Sequence, residues 1–168
     1  MEQMIASWKT YLGRPETDEV RGMAMNLLGN GLSDACQHQD ALSVKEAELS
    51  TMRRIGAPDQ NILVTQGNLA STYYTIGRLE EARSMERDVY LGNLKLMGEE
   101  HGGTLAAANN YANTLLELKR FEEANALTRK TIPVARRVLG EGDTITLRTR
   151  WNHARALYED PAATLDDL

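Results

Sequence analysis

Along most of the chain the apolar and small positions return every three to four residues. Leu63, Gly67, Ala70 and Tyr74 keep that spacing, as do Leu105, Asn109, Ala112 and Leu116. The pattern predicts helices with one face toward a core, not strands whose side chains alternate between two faces. Glycines punctuate it. Gly77 stands where a left-handed residue would end one helix before the next, Gly98 and Gly140 close later helices in the same way, and Gly13 and Gly56 are less regular examples. Helices are therefore predicted near 2–12, 17–30, 40–55, 60–76, 79–97, 103–118, 121–139 and 144–158, with a stub from 162. Pro133 falls inside the segment 121–139, where its missing N–H and its ring predict a bend near Leu127 to Lys130.

The same positions disclose an internal repeat. Asn26, Asn68, Asn110 and Asn152 follow one another at intervals of 42 residues, and Ala70, Ala112 and Ala154 lie two residues after the last three. GRLEEA at 77–82 becomes KRFEEA at 119–124, and Gly56, Gly98 and Gly140 mark the same interval. The chain then divides into a half-repeat over 1–13, repeats over 14–57, 58–99 and 100–141, and a partial repeat over 142–168. The first repeat is the least regular: Ala41 precedes Ala82 by 41 residues, and GLSDACQHQDA at 31–41 reads as a longer polar connection. The unpaired helices at both ends read as part of a longer array.

The stretches NLASTYYTIGRLEEARSMERDVY and NNYANTLLELKRFEEANALTRKTI carry a family likeness. Their order, Asn-Leu-Ala, then Gly-Arg-Leu-Glu-Glu-Ala, then a long amphipathic helix ending in Leu/Met-Gly, resembles the tetratricopeptide repeat in its long, kinesin-light-chain-like form. The resemblance implies an all-α fold: a right-handed superhelical α-solenoid of antiparallel helix pairs, about three full repeats with half-repeats at both ends. It further implies that the first helices line a concave groove, in which an extended peptide segment of a partner protein lies.

Physical reasoning about the residues leads the same way. Ala70, Ala112 and Ala154 supply small side chains where a first helix crosses its partner, so Asn26, Asn68, Asn110 and Asn152 are expected to project into the groove. An Asn amide offers a donor and an acceptor, enough to pair with both the N–H and the C=O of one peptide unit. With helix axes roughly 9–10 Å apart and an extended ligand rising about 3.3 Å per residue, one Asn would meet about every third residue of a strand about ten residues long. The other reading of these asparagines is that they bridge neighbouring helices. Selectivity is expected from positions that vary between repeats: Met25, Gly67, Asn109 and Trp151 just before the asparagines, and Gly29, Ser71, Asn113 and Arg155 three after. In the last repeat Arg148, Trp151 and Arg155 suggest two cations beside an aromatic face, suited to an acidic residue next to an apolar one.

Composition narrows the alternatives. Of 168 residues 42% are hydrophobic, 26% charged and 5% aromatic, and the formal charge of -5 provides no field to attract nucleic acid. No apolar run is long enough for a membrane helix or a secretion signal, and the lone Cys36 cannot form an internal disulfide, so a cytoplasmic chain with Cys36 as a packed small residue is expected. His38, His101 and His153 fall in different repeats, so neither metal nor cofactor nor catalytic site is expected, and the chain reads as no enzyme. GEEHGG at 98–103 and GEGD at 140–143 read as turns between helices, and the pairs Glu80-Glu81 and Glu122-Glu123 as helix starts favoured by the helix dipole. A competing expectation is a self-associating scaffold, a homo-oligomer stacked through Met4, Trp8 and Leu12 at one end and Ala162, Leu165 and Leu168 at the other.

Overall fold

A computed structural model of the chain describes residues 19–163. These form seven α-helices and no strand: α1 (Glu19–Asp34), α2 (His38–Ile55), α3 (Asp59–Thr75), α4 (Leu79–Met97), α5 (Gly102–Glu117), α6 (Phe121–Leu139) and α7 (Thr144–Glu159). The helix expected at 2–12, and the end residues Met4, Trp8, Leu12, Leu165 and Leu168, lie outside the described residues.

The chain makes two compact units, the first ending at Arg78 and the second beginning at Leu79. In the first, α2 packs on both α1 and α3, and α1 touches α3. Its apolar centre is Leu28, Leu32 and Ala41, with Val44 against them. In the second, α5 packs on α4, α6 and α7, and α6 on α7. There Leu115, Leu116, Ala124 and Ala156 are buried together beneath Tyr111, Phe121 and Leu127. Ala41, Ala82 and Ala124 are each fully buried near the start of a second helix, where a larger side chain would force the helices apart.

The ends of the first helices α1, α3 and α5 share one geometry, which the end of α2 at Gly56 also shows. The N–H groups of Gln37, Arg78 and Arg120 reach back to the carbonyls of Leu32, Tyr73 and Leu115 at 2.9, 2.9 and 2.8 Å. The residue before each is left-handed: Cys36 (φ 58), Gly77 (φ 79) and Lys119 (φ 58). This is the hydrogen-bond pattern that satisfies the last carbonyls of a helix. It corrects the expectation that Cys36 is packed, because a cap at this position points outward and Cys36 is exposed. It also corrects the polar connection expected at 31–41. Helix α1 continues to Asp34 and α2 begins at His38, leaving only residues 35–37 between them. Helix α6 runs unbroken across Pro133.

The burial pattern revises the repeat register. Buried Met25, Leu28, Gly29 and Leu32 of α1 correspond to buried Gln66, Leu69, Ala70 and Tyr73 of α3 at a spacing of 41, and Cys36 to Gly77 at the same spacing. From α4 onward the interval is 42, with Ala82, Glu86, Val89 and Asn93 matching Ala124, Thr128, Thr131 and Ala135. Asn26 is therefore the counterpart of Gly67, and the counterpart of Asn68 is the exposed Leu27.

Candidate peptide-binding site

The second helices carry a row of buried positions four residues after their small contact residues: Lys45 after Ala41, Glu86 after Ala82 and Thr128 after Ala124. One helical turn separates each pair, so both face the first helices. Lys45 is only 4% exposed, and its stem crosses Gly29, where a Cβ would sit 2.9 Å from Lys45 Cγ. Its ammonium donates to Ser33 Oγ at 3.0 Å, Thr72 Oγ1 at 3.0 Å and the Asn68 carbonyl at 3.4 Å. All three acceptors are neutral. Burial lowers the Lys45 pKa, opposed by the more distant charges of Glu48 and Asp34. Glu48 is buried as well. Its Oε1 accepts from Asn26 Nδ2 at 3.4 Å and Thr65 Oγ1 at 3.3 Å, its Oε2 has no hydrogen-bond partner, and burial raises its pKa.

Over Lys45, α1 and α3 leave a cavity of about 350 Å³. Ser33, Asn68 and Thr72 bond the ammonium there, and Ser71, Asp34 and His38 are also in the lining. Two of the expected binding residues, Asn68 and Ser71, thus share one cavity, and the Asn68 amide has no hydrogen-bond partner among the described residues. The others of this unit are placed differently. Asn26 spends its amide on Glu48 of α2 and on Asn30, whose Nδ2 donates to Asn26 Oδ1 at 3.2 Å, so it bridges helices. Met25 and Gly29 are core positions, contrary to their expected role in selectivity. Met23 and Leu27 of α1 and Val64 of α3 are exposed apolar residues of the first helices.

In the second unit Asn110 is exposed on α5, and Asn113, three residues on, is half-buried and hydrogen-bonded or otherwise engaged. Asn152, only 5% exposed, does not project outward: its Nδ2 donates to Asn109 Oδ1 at 3.1 Å and to the Asn109 carbonyl at 3.3 Å, joining α7 to α5. Asn109 is buried by that contact. Arg155 is not a free cation either. It bonds Glu159 Oε1 at 2.7 Å and Glu117 Oε1 at 2.8 Å, and these two carboxylates raise its pKa. Arg148 is exposed. Trp151, 70% exposed, lines an apolar cavity of about 670 Å³ with Ala154, Arg155 and Tyr158. Ala154 is exposed there, unlike Ala70 and Ala112.

The polar groups missed by sequence reasoning are Lys45, Glu86, Ser33 and Thr72. A signal was present, since Lys45 and Glu86 each follow a small contact residue, Ala41 or Ala82, by four positions. Glu86 is 7% exposed, and burial pushes its carboxyl up to about 7, relieved in part by the Thr114 hydroxyl. His101 and Asp143 cap α5 and α7, accepting from the N–H groups of Gly103 at 3.0 Å and Ile145 at 2.8 Å, which accounts for the two glycine-bearing turns. His153 Nδ1 lies 3.1 Å from Thr128 Oγ1. Among the described residues no three His, Cys, Asp or Glu side chains cluster as a metal site, and no helix is long and apolar enough to cross a membrane.

Family models described as tetratricopeptide repeat match residues 20–90 and 104–144. Two crystal structures of kinesin light chain TPR-like repeats from Podosopora anserina are similar in fold. One, of a point variant, superposes with a TM-score of 0.79 at 21% identity, over 94% of this chain and 74% of that one. The other gives 0.78 at the same identity and coverage. BtubC (BKLC) from P. vanneervenii gives 0.70 at 16% identity, over 99% of this chain and 74% of that one. No curated protein matches the chain.

Proposed function

The chain belongs to the tetratricopeptide-repeat family, as an all-α repeat array of the kinesin-light-chain-like type, and from that premise we propose that it is a non-catalytic, cytoplasmic module holding an extended segment of another protein. Within each unit the surface proposed for such a segment is the exposed face of the first helices, α1 and α3 in one and α5 and α7 in the other. One observation carries the reading. Asn68 and Ser71 line an open polar cavity, and the Asn68 amide is committed to no other group among the described residues. An extended backbone supplies both a donor and an acceptor for such an amide. Asn110 offers a similar group on α5, where it is exposed. Asn26 and Asn152 drop out as ligand contacts because their amides join helices.

A peptide-display selection on the whole chain, repeated with Asn68 and Asn110 both changed to Ala, tests this reading. Peptides selected on the native chain should bind the double variant at least tenfold more weakly. Undiminished binding removes the asparagines from the account, and selection of no peptide refutes the holding role.

A different observation favours self-association as a second reading. Leu147, Trp151, Ala154 and Tyr158 are exposed on α7, whereas their counterparts 42 residues earlier, Leu105, Asn109, Ala112 and Leu116, are all buried. A face with this pattern is suited to packing against a helix. Sedimentation at rising concentration, with Trp151→Glu as the comparison, decides it: a dimer lost in the variant supports association, and a monomer throughout excludes it.

A further inference from the structure

We propose that α7 is one half of a closed, two-fold interface, packing antiparallel against α7 of a second copy of this chain. The inference deepens the self-association reading and rests on it. Leu147, Trp151, Ala154 and Tyr158 are spaced by four, three and four residues, the interval at which side chains form one seam along a helix packed on another. All four are exposed, Trp151 by 70% and Tyr158 by 90%. Buried Thr149, Asn152 and Ala156 occupy the opposite side of α7, the side that meets α5 and α6, so the seam faces away from the rest of its unit. The order of side-chain sizes along the seam selects the direction. A two-fold axis midway between Asn152 and His153 sets Trp151 opposite the partner's Ala154 and Leu147 opposite the partner's Tyr158. The largest side chain then meets the smallest, twice, with a Leu–Tyr contact at either end. A parallel pair in register would set Trp151 against Trp151 and Ala154 against Ala154, an overpacked layer beside an empty one.

Charge is the second, independent feature. Arg148 is exposed on one flank of the seam, and its guanidinium has no ion-pair partner among the described residues. Two-fold symmetry brings each flank against the same flank of the other copy. In the antiparallel register Arg148 comes within about 3 Å, measured along the helix axis, of the partner's Glu159. Glu159 belongs to a group with Arg155 and Glu117, at 2.7 and 2.8 Å from the arginine. Its two carboxylates and one guanidinium leave one negative charge for Arg148 to meet, and the axis makes the contact twice. A parallel pair would place Arg148 beside Arg148. Trp and Tyr side chains carry roughly 150–250 Å² each, so with Leu147 the seam supplies about 400 Å² from each copy. With its flanks this is a contact at the weak end of the specific range, which makes the dimer reversible and dependent on concentration.

Sedimentation of the full chain at rising concentration, joined to a distance measurement, tests the proposal. The native chain should pass from monomer to dimer and no further, because a two-fold contact closes. Arg148→Glu should raise the dissociation constant at least tenfold, and adding Glu159→Arg to it should recover most of that loss. Direction is read from spin labels attached to a chain carrying Cys36→Ser and Gly142→Cys, the second a position with open space for a side chain. Pulsed electron resonance should place the two labels about 30 Å apart, against about 10 Å for a parallel pair. Oligomers beyond the dimer, labels at the short distance, or equal weakening in the single and double charge variants overturns the proposal. If Trp151→Glu still disperses the complex in those cases, self-association stands without this geometry. A monomer at every concentration removes both. Should a selected peptide then shield Trp151 from acrylamide in a Trp8→Phe chain, the face belongs to the bound segment instead.

Discussion

Glu86 makes stability depend on pH in a direction that can be worked from its surroundings. The side chain is buried on α4, its Oε2 has no hydrogen-bond partner, and burial raises its carboxyl from 4.5 to about 7. The folded value is above the unfolded one, so the folded state favours the protonated acid. Its contribution is full below about pH 4.5 and is lost as pH rises through about 7. At about 1.36 kcal/mol per unit the whole effect is about 3.4 kcal/mol, of which about 2.5 kcal/mol falls between pH 5 and 8. Glu86→Gln keeps the shape and stays neutral at every pH. Urea unfolding of both chains between pH 5 and 8 should show the native one losing about 2.5 kcal/mol relative to the variant. The variant should be the more stable at pH 8. His153, whose pKa burial lowers, pulls the other way as pH falls, and it cancels in the comparison because both chains carry it. Parallel profiles for the two proteins would refute the reasoning.

Three further outcomes follow from the packing. Asn152→Ala removes both bonds to Asn109 and strands a buried amide oxygen, so thermal unfolding should show a loss of about 1–2 kcal/mol. Asn68→Ala, whose amide has no partner among the described residues, should cost less than about 0.5 kcal/mol. Equal losses would contradict the assignment of one as a bridge and the other as a free contact. Cys36→Gly and Lys119→Gly, at left-handed caps, should each stabilise by about 1 kcal/mol in urea unfolding. A loss at either site would mean that its cap geometry is wrong.

The helices were legible because three kinds of local signal agreed: apolar spacing, left-handed glycines such as Gly77, and small residues such as Ala82 and Ala124 where helices cross. Where Cys36 and Lys119 take the left-handed position, the type of residue hides the cap, and the end of α1 was misjudged. The asparagine ladder was legible only in part. Asn26 sits 42 residues before Asn68, yet burial aligns α1 and α3 at 41, so this one match of residue type was fortuitous. Asn152 keeps the interval but is turned into α5 by its contact with Asn109, a relation between residues 43 apart that spacing within one helix does not reveal. The signal at Lys45 is masked for a related reason: a lysine on a helix reads as solvated, and its burial depends on Gly29 of another helix leaving room for its stem.

The central claim is that a partner's segment lies on the first helices. It is tested most directly by placing a photo-crosslinking residue at one position at a time and adding a peptide selected on the native chain. Sites at Ser71 and Asn110, on first helices, should label the peptide, and sites at Asp88 and Lys130, exposed on second helices, should not. Labelling from Asp88 and Lys130 with none from Ser71 and Asn110 would contradict the account.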